Sequence, residues 1–129
     1  MNQREKPKQN NLNFAFFGTP SLCIEILDEL FLNGYIPSVI VTNPDKPQGR
    51  KMILTQSPVK FWAIEHSIPI LEPNKLDDKF LSELKKYDLK LSIVVAYGKI
   101  MPEDIINLPK FGTINIHYSL LPKYRGATP

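Results

Sequence analysis

The sequence predicts an α/β fold, a parallel sheet with helices on both faces. Three observations carry this reading. Short apolar runs alternate with helix-period patterns from Asn13 to His117. One run, Leu89–Tyr97 (LKLSIVVAY), is almost continuously apolar, as expected of a central strand covered on both sides. Another, Asn13–Gly18 (NFAFFG), leads directly into Thr19-Pro20, a strand-to-helix turn.

The elements follow in order. After the Asn13–Gly18 strand, Thr19 is expected as N-cap and Pro20 in the first helical turn. Leu22, Ile26 and Leu30 recur every four residues beside Cys23, Leu27 and Phe31, with Glu25, Asp28 and Glu29 opposite, which makes an amphipathic helix. Asn33-Gly34 ends it. Ile36–Thr42 is a second strand, and Asn43–Gln56 a long loop. Ser57-Pro58 opens a helix with Val59, Trp62 and Ala63 inward and His66 at its C-terminal end, near the last carbonyls. Ile68–Leu71 is a third strand. Asp77–Tyr87 is a helix burying Phe80, Leu81 and Leu84. Leu89–Tyr97 is the fourth strand, Pro102–Leu108 a short helix and Gly112–His117 the fifth strand. Alternation of this kind implies a Rossmann-like parallel sheet of order 3-2-1-4-5. A ligand then belongs beyond the strand C-termini, at the switch between strands one and four. Gly18–Ser21, Tyr97–Lys99 and the stretch after His117 meet there. The edge of strand five reads as unfinished, so the sequence looks like part of something larger, a partial domain over 13–129 behind a disordered polar tail over 1–12.

Composition narrows the function. The chain has 129 residues, 43% hydrophobic and 22% charged, so wholesale disorder is excluded. One cysteine, Cys23, rules out an internal disulfide and reads as core. With two histidines, His66 and His117, no metal site is expected. No apolar run approaches about 18 residues, and MNQREKPKQNN lacks the apolar stretch of a signal peptide, so a soluble cytoplasmic protein is expected. The net charge of +3 gathers in the tail and in residues 43–60. It serves either solubility or a phosphate-rich partner.

Asn115 and His117 are the candidates for chemistry. Two apart at a strand end, they share one face. An amide donor and an imidazole together stabilise a developing oxyanion and move protons. The pattern also fits a purely structural role. Gly18-Thr19-Pro20 lacks both phosphate-binding glycine motifs and reads as a tight turn or a weak anion site. Arg50, in the long loop, suits contact with phosphate or bases.

Five blocks then occur in the order found in the methionyl-tRNA formyltransferase family: FFGTP at 16–20, TNPDKPQGR at 42–50, TQSPVK at 55–60, VVAYGKIMP at 94–102 and INIHYSLLPKYRGATP at 114–129. The last resembles the family motif Asn-x-His-x-Ser-Leu-Leu-Pro-x-x-Arg-Gly. The resemblance covers residues 13–129 and implies transfer of a formyl group from 10-formyltetrahydrofolate to the amino group of methionine on initiator tRNA, in translation initiation. It implies that Asn115 holds the formyl oxygen and that protonated His117 stabilises the tetrahedral oxyanion. Ser119, Leu120, Leu121 and Pro122 would line the folate site, with Val95, Tyr97 and Gly98 facing the pterin. Arg50, Lys51 and Lys46 would contact the tRNA acceptor end, Arg50 matching the arginine that probes the terminal mismatch. The family member is expected to be a monomer with no membrane partner and no metal. Three departures stand out. By the resemblance, the family's catalytic aspartate is expected beyond Pro129, so residues 1–129 are not expected to supply the histidine's carboxylate partner. The family's C-terminal β-barrel is likewise expected to lie outside residues 1–129. Where the family usually has Gly-Lys-Lys after Gly49-Arg50, this chain has Lys51-Met52-Ile53. The alternative readings are a non-catalytic folate-binding fragment and a formyltransferase acting on another amine.

Overall fold

The structure, a computed structural model, describes residues 10–117. Its elements run β1 (Phe14–Gly18), α1 (Cys23–Leu32), β2 (Val39–Val41), β3 (Lys46–Gln48), β4 (Ile53–Thr55), α2 (Pro58–Glu65), β5 (Ile70–Leu71), α3 (Asp78–Lys85), β6 (Leu91–Val95), α4 (Glu103–Ile106) and β7 (Thr113–Asn115). The main sheet has the order β5-β2-β1-β6-β7, and every pair in it is parallel. Its five strands, counted among themselves, run 3-2-1-4-5. The strand count differs in one detail, because β3 and β4 pair only with each other, antiparallel, outside the sheet.

Alternation along the strands splits the core into two layers. Phe14 and Phe16 of β1, Ile40 of β2, and Ile93 and Val95 of β6 pack with Cys23 and Leu27 of α1 and Val59, Trp62 and Ala63 of α2. Ala15, Phe17, Val39, Val41 and Val94 point the other way, against Phe80 and Leu84 of α3 and Ile105 of α4. β1 is buried along its whole length, as a strand covered on both faces must be.

The helix ends show which local chemistry prevails. Ser57 caps α2, its hydroxyl accepting from the Lys60 N–H at 3.0 Å, with Pro58 in the first turn. Asp77 caps α3 in the same way through Phe80 N–H at 3.1 Å. In α3 Phe80 and Leu84 are buried, while Leu81 is only half-buried. Asn33 and Gly34 close α1, with Gly34 at φ 86 and the Tyr35 N–H returning to Leu30 O at 2.9 Å. His66 caps α2, its Nδ1 lying 2.8 Å from Trp62 O.

Three expectations need correction. Thr19 does not cap α1. The helix begins at Cys23 with Leu22 as its N-cap and no side-chain bond there, because the Thr19 hydroxyl donates across the sheet to Tyr97 O at 3.2 Å. The 43–56 segment is not an open loop. It forms the β3–β4 hairpin, in which Lys46 faces Thr55 and Gln48 faces Ile53. The four-residue turn between them is closed by Met52 N–H to Gly49 O at 3.1 Å, with Gly49 at φ 80 and Met52 at φ 51. Finally, residues 10–12 are not part of a free tail. Asn10 N–H reaches Gly34 O at 2.8 Å, and Leu12 packs on the α1-side core.

Candidate active site

The sheet polarity brings the C-terminal ends of β1, β2, β6 and β7 to one edge. The strand order reverses around β1, so the crevice between β1 and β6 is the switch point of the fold.

A polar lattice ties this edge together. Tyr97 O, just beyond β6, accepts from Asn43 Nδ2 at 2.7 Å and from Thr19 Oγ1 at 3.2 Å. Asn43 Nδ2 lies 3.2 Å from Thr19 Oγ1 as well. Thr42 Oγ1 is 2.8 Å from Ser57 Oγ, which joins the end of β2 to the start of α2. One carbonyl thus joins the segments that follow three neighbouring strands. The backbone bends sharply to present it: Ala96 sits at φ 50 and Gly98 at φ 92, both in the left-handed region. A side chain at Gly98 would be strained there, and its Cβ would lie 3.2 Å from Asn43 Nδ2.

Beside this bend lies a cavity of about 290 Å³, lined by Val94, Ala96, Tyr97, Gly98, Lys99, Asn115, Ile116 and His117. β7 ends at Asn115, and Ile116 N–H still bonds to Val94 O at 2.8 Å, which holds the strand end against β6. Both Asn115 and His117 are exposed at the cavity. They offer an amide and an imidazole to whatever occupies it.

Of the sequence-predicted residues, the structure brings Asn115, His117, Tyr97 and Gly98 to this one cavity. Val95 is not there. Its side chain is fully buried in the α1-side core, and Val94 lines the cavity instead, because successive strand residues face opposite ways. Tyr97 contributes at its backbone, since its ring is buried edge-on against Phe17 at 5.3 Å. Burial pushes the phenol's pKa far up, and its hydroxyl has no partner among the described residues. Ser119, Leu120, Leu121 and Pro122 lie outside the described residues. Lys46, Arg50 and Lys51 are exposed on the hairpin, and the apolar Met52, Ile53 and Leu54 beside them are 61–66% exposed.

Sequence reasoning missed Asn43, Thr42 and the ionic group around Lys60. The signal was present: Thr19 and Thr42-Asn43 each follow an apolar strand directly, where a side chain meets the strand-end crevice. A second cavity of about 430 Å³ lies between the end of β5 and α3 and holds none of the predicted residues. Among the described residues no group of three His, Cys, Asp or Glu side chains could hold a metal ion. No helix among them is long and apolar enough to cross a membrane.

A parallel sheet of this order, with its crevice at the switch point, defines a Rossmann-like α/β domain. A family profile described as "Formyl transferase" matches residues 12–129, and the chain belongs to that family. The curated relatives it resembles are methionyl-tRNA formyltransferases. That of Sulfurihydrogenibium sp. (strain YO3AOP1) is 46% identical over 120 residues, covering 92% of this chain and 39% of the relative. That of Caldanaerobacter subterraneus subsp. tengcongensis is likewise 46% identical over 120 residues, with the same coverage. The chain therefore spans about two-fifths of the length of these relatives. Among solved structures, phosphoribosylglycinamide formyltransferase from Anaplasma phagocytophilum matches with a TM-score of 0.61 at 22% identity, over 89% of this chain and 53% of that one. Glycinamide ribonucleotide transformylase 1 from Geobacillus kaustophilus matches with a TM-score of 0.63 at 19% identity, over 91% of this chain and 69% of that one. At these identities the two structures establish the fold.

Proposed function

We propose that this chain carries the formyl-transfer edge of a methionyl-tRNA formyltransferase. The donor is 10-formyltetrahydrofolate and the acceptor is the amino group of methionine on initiator tRNA. The observation that carries the reading is the convergence of Asn115 and His117 on one cavity beside the switch point. The cavity, about 290 Å³, is near the lower end of small-molecule sites, the scale of a ring system rather than of a whole folate. The bent backbone over Ala96–Gly98 forms one wall, where a flat heterocycle can meet peptide groups.

In this reading the acceptor amine attacks the formyl carbon. The carbonyl electrons move onto the formyl oxygen, and the Asn115 amide and His117 imidazolium stabilise the charge. Collapse of the tetrahedral species breaks the bond from carbon to N10. N10 gains a proton and the former amine loses one, with His117 placed to help that movement. Ser119, Leu120, Leu121 and Pro122 extend the folate site, and Arg50, Lys51 and Lys46 meet the acceptor end from the hairpin.

The test is formyl transfer to initiator methionyl-tRNA by the protein purified from its source cells at its native mass. His117→Ala is expected to lower transfer by about a hundredfold or more while folate binding persists. Transfer to a free amine but not to methionyl-tRNA would overturn the acceptor assignment.

A further inference from the structure

The β3–β4 hairpin pairs with no strand of the main sheet. A lone two-stranded hairpin is marginal in water, so its direction depends on how its base is held. One arm is held at Ser57, whose hydroxyl lies 2.8 Å from Thr42 at the end of β2. The other arm is anchored first by Asn43, whose amide reaches Tyr97 O at 2.7 Å, and then, next to the hairpin itself, by an ammonium. Lys60 Nζ, on the first turn of α2, lies 3.1 and 3.3 Å from the two carboxylate oxygens of Asp45, the residue just before β3. The same nitrogen is 3.2 Å from Glu72 Oε2, just after β5. All three side chains are less than a third exposed. Both carboxylates bind through one cation, so without it two like charges face each other across the hairpin base. The two acids also favour the charged form of Lys60, with the Asp45 hydrogen bond the largest influence.

We propose that Lys60 is a positioning residue. It clamps Asp45 to Glu72 and thereby fixes the angle at which the hairpin presents Arg50 and Lys51 to the tRNA. The clamp stands on the geometry above. Its use for tRNA rests on the proposed function.

The experiment separates the two. Spin labels are placed on Met52→Cys at the hairpin turn and Lys85→Cys on α3; Cys23 is buried and stays unlabelled. The label-to-label distance distribution is measured in the chain and in Lys60→Met, Lys60→Arg and Asp45→Asn backgrounds. Lys60→Met and Asp45→Asn are expected to broaden it, and Lys60→Arg to keep it narrow. Asp45→Asn leaves the Lys60–Glu72 pair intact, so it tests the clamp without stripping the fold of its cation. In parallel, binding of initiator methionyl-tRNA at fixed salt is expected to weaken about three- to tenfold in the two broadened variants, with folate binding unchanged. An unaltered distance distribution in both would overturn the clamp. Broadening without loss of tRNA affinity would keep the clamp but overturn the tRNA role of the hairpin. Equal losses for tRNA and folate would mean general damage and would overturn the positioning role.

Discussion

Replacing Gly18 with alanine is expected to destabilise the fold by about 3 kcal/mol, near the top of the range for an overpacked core. The magnitude follows from what the added methyl would meet. An ideal Cβ at Gly18 lies 2.7 Å from Cys23 Sγ, 2.8 Å from Phe16 Cε1 and 2.9 Å from Val95 O. Ordinary contact needs roughly 3.4 Å or more, so relief is required on three sides at once. Cys23 and Phe16 are fully buried. Val95 O is backbone of the neighbouring strand, paired with Gly18 in register, and it already accepts from Cys23 Sγ at 3.1 Å. Neither wall has room to retreat. Cys23→Ala in the same chain removes the nearest contact but not the carbonyl. The double variant should therefore recover only part of the loss, with a coupling of about 1 kcal/mol. Urea unfolding followed by the fluorescence of Trp62 measures both, and the Gly18→Ala midpoint should fall by about 1–2 M. A loss under about 0.5 kcal/mol, or strict additivity with Cys23→Ala, would refute the steric argument.

The remaining predictions concern caps, the buried thiol and the site. Asp77→Ala should cost about 1 kcal/mol as a simple loss of an N-cap, whereas Ser57→Ala should cost more, since it also leaves the buried Thr42 hydroxyl only its long 3.5 Å contact with Thr19 Oγ1. Comparing their thermal midpoints settles the order. Burial pushes the Cys23 thiol from 9.0 up to about 11, so alkylation at pH 8 should proceed only as fast as the chain unfolds. The sign of the linkage follows from the raised value. The thiol's contribution is complete below pH 9, where both states are protonated, and declines as pH rises to about 11, a loss that Cys23→Ala should abolish in a pH series of unfolding curves. Val94→Ala should change folate binding more than Val95→Ala, while Val95→Ala should cost more stability, because only Val94 lines the cavity.

The main sheet was legible because its signals are strong and local. IVVAY at 93–97 and FAFF at 14–17 run apolar without alternation, as strands covered on both faces do. Ser57-Pro58 and Asn33-Gly34 announce helix ends through side-chain and backbone chemistry that acts within three residues. What escaped was set by distance. Thr19 looked like a cap, yet its hydroxyl goes to a carbonyl beyond β6, a partner no local pattern reveals. The hairpin was hidden by Pro47 within β3, which argues against a strand except at an unpaired edge. The facing of Val94 against Val95 depended on register, where a slip of one residue exchanges core for cavity. That Asn115 and His117 reach one cavity was legible because their spacing of two matches the strand repeat.

β1 lies between β2 and β6, and Phe14 pairs with Leu91. That pairing has a consequence in the order of synthesis. β2 emerges soon after β1 and can join it at once, but the partner for the other edge is made roughly seventy residues later, about 4–15 s at ordinary rates of translation. Throughout that interval Phe14, Phe16 and Phe17 belong to a strand with one row of unpaired amides and carbonyls, a template for sticking to another chain. The strand at the centre of the finished sheet is thus the one that waits longest for its second neighbour during synthesis.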